Sequence, residues 1–109
     1  MASGQIVQFR PTVARNMESL TVTNAVQVLS RSLYGAVGMS GGAQEAFLTN
    51  YGAALRYTYD NSTSPSASIG HVLPDGGTLV LKGQQQMEAF KCYRLGSVDT
   101  VITVSYEYE

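Results

Sequence analysis

The sequence predicts an all-β fold, a compact antiparallel β-sandwich or small jelly-roll-like barrel of about 7–9 short strands with an extended N-terminal arm. Two observations carry this. Apolar and polar residues alternate over short runs, most clearly at Leu55, Tyr57 and Tyr59 and again at Ile102, Val104, Tyr106 and Tyr108. Those runs are interrupted roughly every ten residues by clusters of Gly, Asn, Asp, Ser and Pro, the spacing of a many-stranded sandwich. Residues 1–15 read as an N-terminal arm or edge strand and 16–109 as one β-sandwich domain.

In chain order, Ile6, Val7 and Phe9 form an alternating piece broken by Arg10-Pro11. Proline cannot donate to a sheet ladder, so this piece is an edge strand or arm. From Glu18 to Val22 a strand places Leu20 and Val22 on one side, and Val26 and Val28 continue it after Asn24. A looser, glycine-rich segment follows, with a turn expected at Gly41-Gly42. Glycine and β-branched residues disfavour a helix over 25–37. Ala43 to Thr49 forms the next strand, ending at Asn50, and Leu55, Tyr57 and Tyr59 then share one face opposite Arg56, Thr58 and Asp60.

Asp60 to Ser66 is turn chemistry throughout, because those short polar side chains bond their own backbone. Val72-Leu73 and Thr78 to Lys82 resume the strand pattern around a Pro74-Asp75-Gly76-Gly77 turn. Gln84-Gln85-Gln86 reads as a solvated loop or an intersubunit contact, and Met87 to Leu95 as a short mixed strand with Phe90 and Cys92 on one face. Gly96 and Asp99 mark the last turn. Thr100 to Tyr108 is the final strand.

At 109 residues a single domain can bury about 60–70% of the surface its unfolded chain exposes. Only 14% of the chain is charged, below the usual quarter or so, and uncharged polar residues take up the difference. The basic residues Arg10, Arg15, Arg31, Arg56, Lys82, Lys91 and Arg94 are scattered, and the net charge is −1. That pattern offers nothing for counterion release from a phosphate backbone, so no nucleic-acid partner is expected. The lone Cys92 excludes an internal disulfide. Neither a signal-peptide core nor a bilayer-spanning run is apparent, and a soluble, cytosolically made protein with no membrane partner is expected.

The residues that could carry chemistry are few. His71 is the only histidine, so one chain holds no His–His metal site, and it and Cys92 fall at strand positions without an obvious orienting carboxylate. The oxygen-rich 60–64 cluster lacks the spaced carboxylates of a calcium loop and reads as a hairpin turn. Gly76-Gly77 precedes a strand, not a helix, and cannot cradle a phosphate on a helix terminus. Seven tyrosines and no tryptophan could form a carbohydrate platform, but stripes such as Tyr57/Tyr59 and Tyr106/Tyr108 more often face a core or a subunit interface. No nucleophile–base set or acid pair stands out. An enzyme is not expected, nor any metal or cofactor.

From Thr21 to Glu107 the chain resembles a group of small structural proteins encoded among the virion genes of tailed bacteriophages and prophages. The resemblance rests on Arg56-Tyr57, Asp60, Pro65-Ser66, Gly70 and Leu73, then on Gly76 through Leu81, Phe90 with Arg94, and Val104-Ser105-Tyr106. It departs from the group's pattern at Asn61-Ser62, where Asp-Gly is usual, at Lys91 and at Ser105. The hairpin is also similar to one in Ig-like domains appended to carbohydrate-active enzymes.

The phage resemblance implies a capsid decoration (cement) protein on the outer surface of the virion. Its partners would be the major capsid protein and itself, as a homotrimer. Contact residues would be Ile6, Val7, Phe9 and Arg10 in the arm, with Tyr106 and Tyr108 in the C-terminal tail. A neck-, tail- or fibre-associated protein and a carbohydrate-binding β-sandwich module are the alternatives.

Overall fold

A computed structural model describes residues 13–35 and 42–108. The alternation becomes eight strands: β1 (Val13–Val22), β2 (Gln27–Val28), β3 (Ala43–Tyr51), β4 (Leu55–Thr58), β5 (His71–Leu73), β6 (Thr78–Lys82), β7 (Lys91–Arg94) and β8 (Thr100–Tyr108). Two short helices, α1 (Arg31–Tyr34) and α2 (Gln84–Ala89), link strands of different sheets. One antiparallel sheet has the order β1-β8-β3-β6 and the other β2-β7-β4-β5.

That order has a simple origin. Strand β1 pairs with β8, β2 with β7, β3 with β6 and β4 with β5, each antiparallel. The chain is thus one long hairpin, folded at β4–β5 and wound so that successive pairs fall alternately into the two sheets. This is the jelly-roll solution to burying two sheet faces against each other. The winding places α1, the β4–β5 connection and α2 at one pole, and the β1–β2, β3–β4, β5–β6 and β7–β8 connections at the other.

The core lies between the sheets. Along β8 the buried apolar residues are Ile102, Val104, Tyr106 and Tyr108, which share the inner face of their sheet with Ala46 and Leu48 of β3 and Leu81 of β6. Leu55, Leu73, Phe90 and Cys92 line the inner face of the second sheet, and Met87 of α2 and Tyr34 of α1 enter the same cluster. Full burial of side chains of this size stabilises the fold by about 1.5–3 kcal/mol each.

Two expectations are corrected. Gln84–Ala89 is a helix, not a loop leading into a strand. Glutamine is a good helix former, and the turn buries Met87 and Ala89 while Gln86 Oε1 accepts the Lys82 backbone N–H at 2.7 Å. The strand expected over 87–95 is confined to Lys91–Arg94. The first strand begins at Val13 and lies at the edge of its sheet, while residues 1–12 of the expected arm or edge strand lie outside the described residues.

One pole is closed by a buried polar network centred on Asn50. Its Nδ2 donates to the carbonyls of Ala53 (2.7 Å), Leu73 (3.0 Å) and Pro74 (3.0 Å). Its Oδ1 accepts the Thr100 hydroxyl at 2.7 Å. Thr100 Oγ1 in turn accepts the Ala53 N–H at 3.0 Å. The Gly76 N–H donates to the Asn50 carbonyl at 2.8 Å, closing the Pro74–Gly77 turn against β3. Gly76 takes φ 81° there, a conformation that favours glycine.

Candidate functional site

Two surfaces of the sandwich bear features that packing alone does not require. The first is the outer face of β1-β8-β3-β6. The register aligns Met17, Ser105, Phe47 and Val80 in one cross-strand row, and Ser19, Thr103, Thr49 and Thr78 in the next. Thr21, Val101 and Tyr51 form a third row. These rows contain no charged side chain, and they include four large exposed apolar residues: Met17 (62%), Phe47 (40%), Tyr51 (76%) and Val80 (42%). The neighbouring row, Glu107, Glu45 and Lys82, brings the charges back.

The second surface lies at the helical pole. The inner stripe of β4 leaves the core there: Leu55 is fully buried, Tyr57 is half-buried and Tyr59 is 43% exposed. Tyr57 stacks on Phe90 with ring centroids 5.9 Å apart and on Tyr59 at 6.2 Å, and His71 sits 5.4 Å from Tyr57 and 6.1 Å from Tyr59. The core therefore continues outward as an aromatic ledge.

The loop after β4 folds back over the sheet's outer face and is fastened there. The Thr58 hydroxyl donates to the Thr63 carbonyl at 2.7 Å, Arg56 Nε to Ala67 at 3.0 Å and Arg56 Nη1 to Gly70 at 2.9 Å. Gly70 lies so close to β4 that a Cβ would meet the Tyr57 carbonyl at 2.9 Å, at a φ of 123°. Only glycine suits that approach.

Asp60 organises the tip of the loop. Its Oδ1 accepts the Ser62 N–H at 3.1 Å and the Thr63 N–H at 2.9 Å, and its Oδ2 accepts the Thr63 hydroxyl at 2.7 Å. Those donors, the Thr63 hydroxyl first, lower its pKa to about 2, because each favours the ionised carboxylate. Two clefts meet at this point. One, of about 550 Å³, is lined by Thr58, Tyr59, Asp60, Thr63, Ile69, Gly70 and His71. The other, of about 430 Å³, lies between Tyr59, Asp60 and Asn61 on one side and Gln85, Gln86, Glu88 and Ala89 on the other.

The residues singled out in the sequence are distributed as follows. Ile6, Val7, Phe9 and Arg10 lie outside the described residues. Tyr106 and Tyr108 point inward and are buried. The Tyr106 ring packs 6.0 Å from Tyr34 and its hydroxyl donates to Glu18, while the Tyr108 hydroxyl donates to the Leu33 carbonyl. Burial, reinforced by the Glu18 carboxylate, raises the Tyr106 pKa. As contact candidates these two are corrected: their side chains are core groups, and β8 presents Val101, Thr103, Ser105 and Glu107 outward.

His71 and Cys92 flank Tyr57 in register on opposite sides. His71 is exposed and Cys92 is fully buried, so the two do not form a reactive pair. Burial pushes the Cys92 thiol up to about 12, with a smaller push from Glu18. Among the described residues no group of His, Cys, Asp and Glu is placed to hold a metal ion. The sequence marks Asn50 only as a strand end, whereas its network joins residues up to fifty positions apart, which no local pattern signals.

Comparison with protein-family models, with curated proteins and with solved structures returns no match.

Proposed function

We propose that this chain is a bacteriophage virion structural protein, a capsid decoration protein that docks on the outer shell as a homotrimer and stabilises it through protein–protein contacts. The jelly-roll winding is shared by virus coat and lectin domains, and a fold of this kind does not select a function by itself. The observation that carries the reading is the three uncharged rows on the outer face of β1-β8-β3-β6, with Met17, Phe47, Tyr51 and Val80 exposed on them. The resemblance running from Thr21 to Glu107 points the same way.

Size favours a repeated contact over an isolated one. With strands about 4.8 Å apart and same-face rows about 6.8 Å apart, three rows across four strands cover on the order of 400 Å². A stable pairwise complex uses about 800 Å² per partner. A face of half that size binds weakly once, but gains avidity when a trimer meets a symmetric lattice at several points. The segment holding Ile6, Val7, Phe9 and Arg10 leads directly into β1, an edge strand of the same sheet, and in this proposal supplies further contact.

The test is co-sedimentation of the purified protein with capsids that lack it. Phe47→Glu places a carboxylate in the row that holds three of the four exposed apolar residues and is expected to weaken binding by about tenfold or more, equivalent to about 1.4 kcal/mol. Its melting temperature should stay close to that of the parent, since Phe47 is 40% exposed. Capsid binding unchanged by Phe47→Glu would remove the face from the proposal, and no binding by the parent protein would refute it.

A further inference from the structure

The two clefts at the helical pole are not needed for docking through the sheet face, and their lining has a consistent chemistry. We propose that they form a binding site for a neutral oligosaccharide, with one sugar ring lying on Tyr59 beside His71 and the next reaching the amides of Asn61, Gln85 and Gln86. The inference is independent of the capsid reading, because it uses a different surface.

Four features support it. Both clefts fall within the roughly 300–1,000 Å³ typical of small-molecule sites, at about 550 and 430 Å³. They share Tyr59 and Asp60, so a ligand longer than one ring can cross from one to the other. Tyr59 is held as a flat platform by stacking on Tyr57, which is itself stacked on core Phe90. Such a preformed ring loses little freedom on binding and suits the apolar C–H face of a sugar.

The polar groups suit hydroxyls. Asp60 is fixed by the Ser62 and Thr63 donors and stays ionised well below neutral pH, so it can accept hydrogen bonds from a ligand but cannot donate. Gln86 has its carbonyl end engaged by the Lys82 N–H, so its N–H groups are what it can offer. Anionic ligands are disfavoured. Among the described residues no Lys or Arg lines either cleft, Asp60 sits where the clefts meet, and nearby Arg31 is held by Glu88 at 2.5 Å.

The experiment is a titration of the ¹⁵N-labelled full chain with neutral gluco-, xylo-, manno- and chito-oligosaccharides at millimolar concentration, followed by amide shifts. The expected result is saturable shifts at Tyr59, Asp60, His71, Gln85 and Gln86 with at least one of them. Tyr59→Ala is expected to weaken that binding about tenfold or more, whereas Tyr51→Ala, on the sheet face, leaves it unchanged. Gln85→Ala, at an exposed position, gives a second variant that does not endanger the fold and should also weaken binding. The inference is overturned if no neutral oligosaccharide shifts these amides, if the shifts map elsewhere, or if an oligouronate binds more tightly than every neutral one. Loss of sugar binding in Tyr59→Ala with capsid binding intact would separate the two sites.

Discussion

Replacing Asn50 by alanine tests whether the polar network at the closed pole holds the two sheets in register. Asn50 is completely buried. Its Nδ2 carries two hydrogens, so the contacts to Ala53, Leu73 and Pro74 amount to no more than two full hydrogen bonds. Each contributes about 1 kcal/mol net, and a carbonyl left buried without a donor costs about 1–3 kcal/mol.

Part of the loss is cushioned. The Pro74 carbonyl keeps the Gly77 N–H at 2.8 Å, and the single Thr100 hydroxyl hydrogen, released by Asn50, can turn to the Tyr51 carbonyl at 3.1 Å. The sum is a destabilisation of about 3 kcal/mol, large for a single substitution. At about 4–5 °C per kcal/mol for a domain of this size, the melting temperature should fall by about 12–15 °C. The assay is urea and thermal unfolding followed by circular dichroism, with Thr103→Ala on the exposed face as the control. A midpoint shift at unchanged m-value is expected. If Asn50→Ala stays within about 0.5 kcal/mol of the parent, as surface substitutions do, the network is not structural in the sense argued.

Two further outcomes are expected. Asp60, whose pKa lies at about 2 instead of the ordinary 3.8, favours the folded loop above the unfolded value, and this contribution is lost as pH falls through the folded one. The Thr63 amide shift should therefore titrate with a midpoint near 2 and not respond to acid in Asp60→Asn; a midpoint near 3.8 would show that the turn does not hold the carboxylate. The Cys92 thiol, buried and raised to about 12, should resist a thiol reagent in the native protein and react at once in denaturant. Rapid native-state labelling would mean that β7 opens readily.

What the sequence disclosed, and what it hid, follows from the range of the interactions. Strand β8 is legible to its observed bounds because Ile102, Val104, Tyr106 and Tyr108 recur at every second position along a strand buried on one side. Thr78–Lys82 was equally clear, bracketed by a Pro-Asp-Gly-Gly turn. Helix α2 is not legible in the sequence because six residues are too few to show a 3.6-residue period, and only Met87 and Ala89 of them are buried. The jelly-roll order was only one of two architectures allowed, since β1 pairs with β8 at the far end of the chain and local patterning does not specify that partner. The candidate surfaces were legible in part. The stripe through Tyr57 and Tyr59 was visible, but not that it leaves the core at Tyr59. Nor was it visible that Met17, Phe47 and Val80, from three separate strands, would fall in one row.

The central claim, that this jelly roll decorates a phage capsid, is tested most directly by quantitative mass spectrometry of purified particles, counting copies of this chain per major capsid subunit. The account predicts a ratio near one or a fixed simple fraction of it, as symmetric coverage of the shell requires. A handful of copies per particle, or none, would contradict it.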